Sequence, residues 1–309
     1  MSSDVVTRVV QTCFPDRTAP PVRPAGEGDY CRAVLVAGEW IFLFAKHAHA
    51  SACLERLARV TCYLAVNAPI AIPVVEYHGQ ADGRSYVGYR AIQGQPLGTM
   101  PSSGRSPPVR QALVSDLAAF FRHLHGFDVD RARSLGVPQS DYPLSMRDDH
   151  VLLGPAQDLY WRDLEAFRSS PAGSPELLAF LEGALDRHLA RADDDSPAPA
   201  LLHNEVSGDH VLVDSAGRVS GIIDFNGMLI GPPARDFLYL YEEHGRAFAL
   251  ELIEDYGLID PVRALRELEF LHVWHTLGRL LWMVEHAHGP GIDRRRRELE
   301  ELRQHAFDR

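Results

Sequence analysis

The stretch 201–237, LLHNEVSGDHVLVDSAGRVSGIIDFNGMLIGPPARDF, holds the densest set of side chains able to do chemistry. His203, Glu205, Asp209 and His210 follow one apolar run, and Asp224 ends a second. The turn-forming residues 214–217 between the runs predict a hairpin, so polar groups converge at two neighbouring strand ends. Such convergence is a common way to build a metal and phosphate site. Phosphoryl transfer needs a carboxylate to orient the attacking hydroxyl and ligands for the Mg²⁺ that bridges the phosphates. Glu205 has the chemistry for the first task, and Asp224 with His210 for the second. Taken singly, Asp224 also suits a turn cap, His210 a satisfied loop histidine and Glu205 a structural carboxylate. Their conjunction favours the chemical reading.

These groups need elements to hold them. Apolar spacing predicts a helix over 4–14, then a loop with a Gly-bearing turn. Strands follow over Cys31–Val36 and 40–44, joined by a tight turn at Ala37 and Gly38. A helix over 51–66 with Ser51 as its N-cap precedes two more strands, 69–77 and 85–91. Residues 93–97 read as a connector and 101–108 as a loop. Beyond them helices dominate, over 109–125, 157–168, 174–192, 246–256 and 262–287, with an acidic solvated linker at 192–200. The β-like patch at Val211–Val213 and 221–224 interrupts them. This order predicts an α+β fold of two lobes, a β-rich lobe over 1–93 and a mainly helical lobe over 94–309 carrying the reactive loop and a substrate pocket.

Composition narrows the partners. A chain of 309 residues exceeds what one hydrophobic core usually serves. The net charge of −11 argues against nucleic acid and suits a cationic small molecule. No stretch approaches a membrane span and no basic start precedes an apolar run, so the expected location is the cytoplasm. The cysteines Cys13, Cys31, Cys53 and Cys62 form no CxxC pair and are expected as reduced thiols. Among 31 basic residues Lys46 is the only lysine. Asp148, Asp149, Glu242 and Glu243 are candidates for an acidic pocket, with Glu285 beside Trp274, Trp282 and His286 as a further one. Each of these also fits a solvated or core helix face. Arg294–Arg297 reads as an exposed helix face.

The segment resembles the catalytic region of the aminoglycoside phosphotransferase family, nearest its 2″-phosphotransferase branch. That branch carries H-N-D-x-x-x-D-H, then I-I-D-F-G-D, then D-P-x-x-D-F. Here stand His203-Asn204-Glu205, Asp209-His210, Ile222-Ile223-Asp224-Phe225 and Arg235-Asp236-Phe237. Upstream, Gly26-Glu27-Gly28 resembles the nucleotide loop, the run ending Ala45-Lys46-His47 the lysine-bearing strand, and the run from Gly88 through Ile92 to Leu97 the hinge.

The resemblance implies a kinase-like fold binding ATP or GTP with Mg²⁺. It makes Glu205, His203 and Asp224 catalytic, with His203 braced by Asp236. It assigns Gly28, Lys46, Tyr89 and Ile92 to the nucleotide, and His210 with Asp224 to the metal. Four departures accompany it. Glu205 replaces the family's Asp. Leu43 occupies the place of its phosphate-binding basic residue, and Leu57 that of the helix Glu, unless Lys46 and Glu55 substitute for the pair. Gly227 and Pro232 stand where acidic residues are frequent.

Three functions are therefore expected in competition. The first is a phosphotransferase acting on a hydroxyl of a cationic antibiotic or related product. The second is a kinase fold turned to acid–base chemistry on a biosynthetic intermediate. The third is a protein that binds its small molecule without reacting.

Overall fold

A computed structural model describes residues 3–17, 20–99, 106–142, 156–191 and 197–307. Asp148, Asp149, residues 101–105 of the expected loop and 192–196 of the expected linker lie outside the described residues. Contacts group the chain into two compact units, Met1–Val137 with Leu201–Leu229, and Pro138–Ala200 with Ile230–Arg309. This grouping cuts the chain differently from the lobe boundary expected at residue 93.

The first unit opens with α1 (Ser3–Cys13) and a five-stranded antiparallel sheet. Its strands are β1 (Val22–Glu27), β2 (Cys31–Val36), β3 (Trp40–Ala45), β4 (Val75–Ala81) and β5 (Arg84–Arg90), in the order β1-β2-β3-β5-β4. Alternation sends Trp40, Phe42 and Phe44 to one face, where Val6, Val9, Val10 and Phe14 of the α1 region cover them. Phe42 and Phe44 are fully buried. Burial on that scale stabilises by about 1.5–3 kcal/mol for each ring. The opposite face carries Cys31, Leu43 and Val87, and α2 (Ala48–Leu64) fastens there: Ser51 Oγ accepts from the Ser85 N–H at 3.0 Å, and Ser85 Oγ donates to Glu55 at 2.9 Å.

Several expectations need correction. Ser51 does not cap α2. His47 does, its Nδ1 accepting from the Ala50 N–H at 3.2 Å. The apolar run 69–77 is no continuous strand, because Pro69 and Pro73 cannot donate to a ladder. Only Ala71 pairs from its first part, bridging Gly221, and β4 begins at Val75.

The rest of the first unit carries the hairpin predicted around 214–217. The two-residue β6 (Gln95–Pro96) pairs with β8 (Val211–Val213), which pairs with β9 (Val219–Ile222). Their neighbours in the chain are the short β7 (Ala200–Leu202) and β10 (Leu229–Gly231). Helices α3 (Pro107–His125) and α4 (Val129–Ser134) complete the unit. Asp116 of α3 accepts from Arg218 Nε and Nη2, at 2.7 and 2.6 Å, and from the Val219 N–H at 3.1 Å, which fixes where the second hairpin strand starts.

Gly221 allows the close approach that follows. A Cβ there would sit 2.6 Å from the Ala71 carbonyl oxygen and 2.6 Å from Ile92 Cγ2. The Ile222 N–H donates to that same carbonyl at 3.0 Å. Gly221→Ala is therefore expected to destabilise by about 2–3 kcal/mol, the cost of overpacking against a backbone that cannot yield. Urea unfolding of the two proteins measures it.

The second unit is helical: α5 (Ala156–Arg168), α6 (Pro175–Leu189), α7 (Leu238–Tyr256), α8 (Pro261–Glu285) and α9 (Gly289–Phe307). No helix among the described residues is long and apolar enough to cross a membrane. Inside the unit Asp163 is fully buried and accepts from the Tyr142 hydroxyl and from Trp274 Nε1 at 3.1 Å. The buried Arg235 donates to the carbonyls of Tyr142 at 2.7 Å and Ser140 at 3.4 Å. Burial lowers its guanidinium to about 10.

Candidate active site

The hairpin positions the reactive groups through their backbones. His203 is fully buried, its ring edge against Phe225 with centroids 4.5 Å apart. Its Nε2 lies 3.0 Å from the Ile223 carbonyl, and its Nδ1 accepts from the Glu205 N–H at 3.3 Å. A carbonyl only accepts, so Nε2 carries the hydrogen. Both ring nitrogens thus serve the loop, which gives His203 a positioning contact at each of them.

Glu205 follows, half-buried, its carbonyl accepting from His210 Nδ1 at 2.7 Å and from the Ser207 N–H at 3.0 Å. The same logic puts the His210 hydrogen on Nδ1, which aims Nε2 at Asp224 Oδ2, 3.6 Å away. Asp224 adopts a left-handed conformation, φ 67° and ψ 57°, two residues after β9. That turn brings its carboxylate back over the loop and leaves the side chain 42% exposed. The other carboxylate oxygen accepts from Asn226 Nδ2 at 2.6 Å. Asn226 escaped the sequence reading. Its own Oδ1 is buried without a hydrogen-bond donor among the described residues.

The charge of Asp224 reaches the sheet. Burial pushes the Cys31 thiol up to about 12, Asp224 adding to the rise and Lys46 opposing it. The Tyr89 phenol is raised by burial first and by Asp224 second. Asp224, Lys46, Cys31 and Tyr89 therefore share one electrostatic neighbourhood within the first unit. The hairpin brings His203, Glu205, His210 and Asp224 together at one end. Among the described residues no group of three or more His, Cys, Asp or Glu side chains could hold a metal ion.

The nucleotide candidates lie along the same sheet. Gly26, at φ 154°, makes a bulge in β1 and frees the turn to Gly28. Lys46 Nζ donates to the Gly28 carbonyl at 3.0 Å and pairs with Glu27 at 3.4 Å. It makes no pair with Glu55, whose partner is Ser85, so the replacement of the missing pair by Lys46 and Glu55 is not formed. Leu43 and Leu57 are buried apolar residues. The Tyr89 backbone belongs to the β5 ladder. Three residues on, the N–H and C=O of Ile92 make no hydrogen bond among the described residues, while its side chain packs on Gly221.

Residues 22–271 match the phosphotransferase enzyme family (APH). The chain belongs to that family. Its fold is the kinase-like α+β fold of the aminoglycoside phosphotransferases. It superposes on the GDP complex of wild-type aminoglycoside 2'-phosphotransferase-IIIa with a TM-score of 0.85 at 26% identity, over 99% of this chain and 100% of that one. Macrolide 2'-phosphotransferase type I shares the fold, with a TM-score of 0.70 at 19% identity and 97% of each chain covered. Among curated proteins, a 67-residue stretch is 33% identical to the uncharacterized protein YcbJ of Bacillus subtilis (strain 168), matching 21% of this chain and 22% of that protein's length.

In the second unit Glu242 and Glu243 do line a cavity, together with Glu298 and Glu301, but Glu242 is already engaged by its neighbours. Glu242 accepts from His275 Nδ1 at 2.8 Å and Arg279 at 3.0 Å, and lies 3.2 Å from His272 Nδ1. Burial alone would raise this carboxyl, but those bonds and the Arg279 charge hold it well below the ordinary carboxylate range. A carboxylate so occupied has little left to offer an amine. The spacing 272, 275, 279 places the three donors on one helical face, a signal present in the sequence. Trp282 stacks on His286 with ring centroids 4.2 Å apart, and Trp274 is core.

Proposed function

We propose that this chain is a nucleotide-dependent O-phosphotransferase acting on a hydroxyl of a small natural product of antibiotic type. The observation that carries the reading is the His210–Asp224 pair. In the neutral ring the Nε2 lone pair faces a carboxylate oxygen across 3.6 Å, a repulsive arrangement unless a proton or a cation lies between them. One carboxylate plus one further donor, completed by phosphate oxygens and water, fits the way Mg²⁺ is held beside a nucleotide. His210 and Asp224 would hold that ion. It would supply neutralisation of the phosphate charge there.

The chain's own groups do the remainder. Glu205, on a loop fixed by His203 and His210, orients the substrate hydroxyl and accepts its hydrogen bond. The free backbone donor and acceptor of Ile92 meet the purine edge, with Tyr89 setting the course of the strand that precedes it. Lys46 tethers the Gly28 turn and would supply positive charge to the phosphates. Membership of the family and likeness to an aminoglycoside phosphotransferase solved with GDP support ATP or GTP as the donor.

Calorimetry tests this. The expected result is saturable ATP or GTP binding that weakens at least tenfold when Mg²⁺ is chelated. No binding at millimolar nucleotide would remove the reading. The burial of Leu43 and Leu57 in place of a charged pair favours, as the second reading, a kinase fold working without nucleotide. Product formed on a cognate small molecule in nucleotide-free, metal-free buffer would establish that instead.

A further inference from the structure

The second unit contains a cavity of about 1690 Å³, larger than the usual small-molecule pocket. Its inner wall is aromatic. His188 lies flat on Phe270, centroids 3.7 Å apart and planes 3° from parallel, and Tyr160 meets Phe270 edge-on at 5.3 Å. Phe180 adds a further ring to the lining. Into this wall is set Glu267, whose side chain keeps 28% exposure and lines the cavity. Its one close polar neighbour among the described residues is His188 Nδ1, at 3.5 Å.

His188 is a poor partner. Burial first, and the charge of Arg191 second, push its imidazole down to about 4, which leaves it neutral. Burial pushes the Glu267 carboxyl up to about 7, against the opposing charge of Arg263. The contrast with Glu242 on the facing helix is complete: that acid has three donors, while this one opens onto a large space with no cation in contact among the described residues. Around the same cavity stand the acids Asp141, Glu176, Asp260 and Glu269 with Arg263, and four arginines, Arg187, Arg191, Arg266 and Arg303, whose side chains make no ion pair or hydrogen bond with a described residue. An unpaired acid between aromatic rings attracts one ammonium group, through charge and through the ring faces. Four unpaired guanidinium groups repel a molecule that carries many.

We propose that this cavity binds a molecule with a broad apolar body and a single basic amine, Glu267 supplying the counter-charge and the surrounding arginines excluding polycations. Every residue named belongs to the second unit, so the inference stands apart from the nucleotide site and can fail without touching the phosphotransferase reading.

Calorimetry without nucleotide or metal tests it, using two probes with one strongly basic amine each, erythromycin and imipramine, against polycationic kanamycin. The expected result is that at least one single-amine probe binds and that kanamycin binds at least tenfold more weakly. Glu267→Gln should lower the affinity of that probe at least tenfold, while Glu242→Gln leaves it within twofold. Thermal unfolding verifies that both variants are folded. A second variant, Arg303→Glu, should narrow the gap between kanamycin and the single-amine probe. The proposal is overturned if neither single-amine probe binds, if kanamycin binds as tightly, or if folded Glu267→Gln retains wild-type affinity.

Discussion

Asp224→Asn will fold like the wild type and lose phosphotransfer by on the order of 10³-fold in kcat, the scale set by removing one preorganised electrostatic group from a transition state. Asparagine is the replacement to use because the position is left-handed, at φ 67°, where Asn is tolerated and Ala is strained. Its carboxamide oxygen can still accept from Asn226 Nδ2, so the local bond at 2.6 Å survives. Only the negative charge facing His210 is lost. Two measurements separate a metal role from a general one. Nucleotide affinity of the variant should no longer respond to Mg²⁺, resembling the wild type in chelator, while its thermal midpoint stays unchanged. A variant within tenfold of wild-type kcat, with Mg²⁺ dependence intact, would remove Asp224 from the mechanism and leave it as the cap of the turn at Phe225–Gly227.

The reactive groups were legible because each follows a short apolar run. Chain polarity then decides that His203, Glu205 and Asp224 emerge at strand ends. The β2–β3 hairpin was legible for a similar reason: apolar residues flank Ala37 and Gly38, both at positive φ, 54° and 73°. By contrast β1 reads VRPAGE, a strand exposed along its whole length. It exists because β2 offers it an edge to pair with, and no hydrophobic alternation announces that. The first half of α7 was also hidden, since Gly245 at φ 80° separates it from the amphipathic half that the spacing revealed. Helix α9 was legible only as an exposed helix face at Arg294–Arg297, because RRRRELEELRQ is too polar to give a period, and Leu299 alone in that run is buried.

Side-chain reach is the part of the site that spacing conceals. Whether Lys46 turns to Glu55 or to the Gly28 turn depends on where β1 lies, and β1 was unread. The burial of His203 depends on Phe225 and the Ile223 carbonyl, some twenty residues later in the chain. Local pattern identifies the chemistry a residue can do, and tertiary packing decides whether it is free to do it.

Asp163 illustrates the second half of that rule and carries the largest expected loss of stability. Nothing in the sequence marks it, an acid within an ordinary amphipathic helix. In the folded protein its side chain has no exposure, and one oxygen, Oδ2, receives both the Tyr142 hydroxyl and Trp274 Nε1. Tyr142 and Trp274 are buried as well, so neither donor can turn to water. Burial first, then the Asp163 charge and the bond to it, push the Tyr142 phenol far up, consistent with a hydroxyl that keeps its proton and donates. The carbonyl of Tyr142 accepts from Arg235, so the network joins α5 and α8 to the segment preceding α7. Asp163→Ala leaves two buried donors and one cavity, and should cost about 3–5 kcal/mol. Asp163→Asn keeps an oxygen in the Oδ2 position for both donors and should cost about 1 kcal/mol. Chemical denaturation measures both. A cost under about 1 kcal/mol for Ala, or equal costs for Ala and Asn, would mean that the packing of Trp274 and Tyr142 holds this core without the acid.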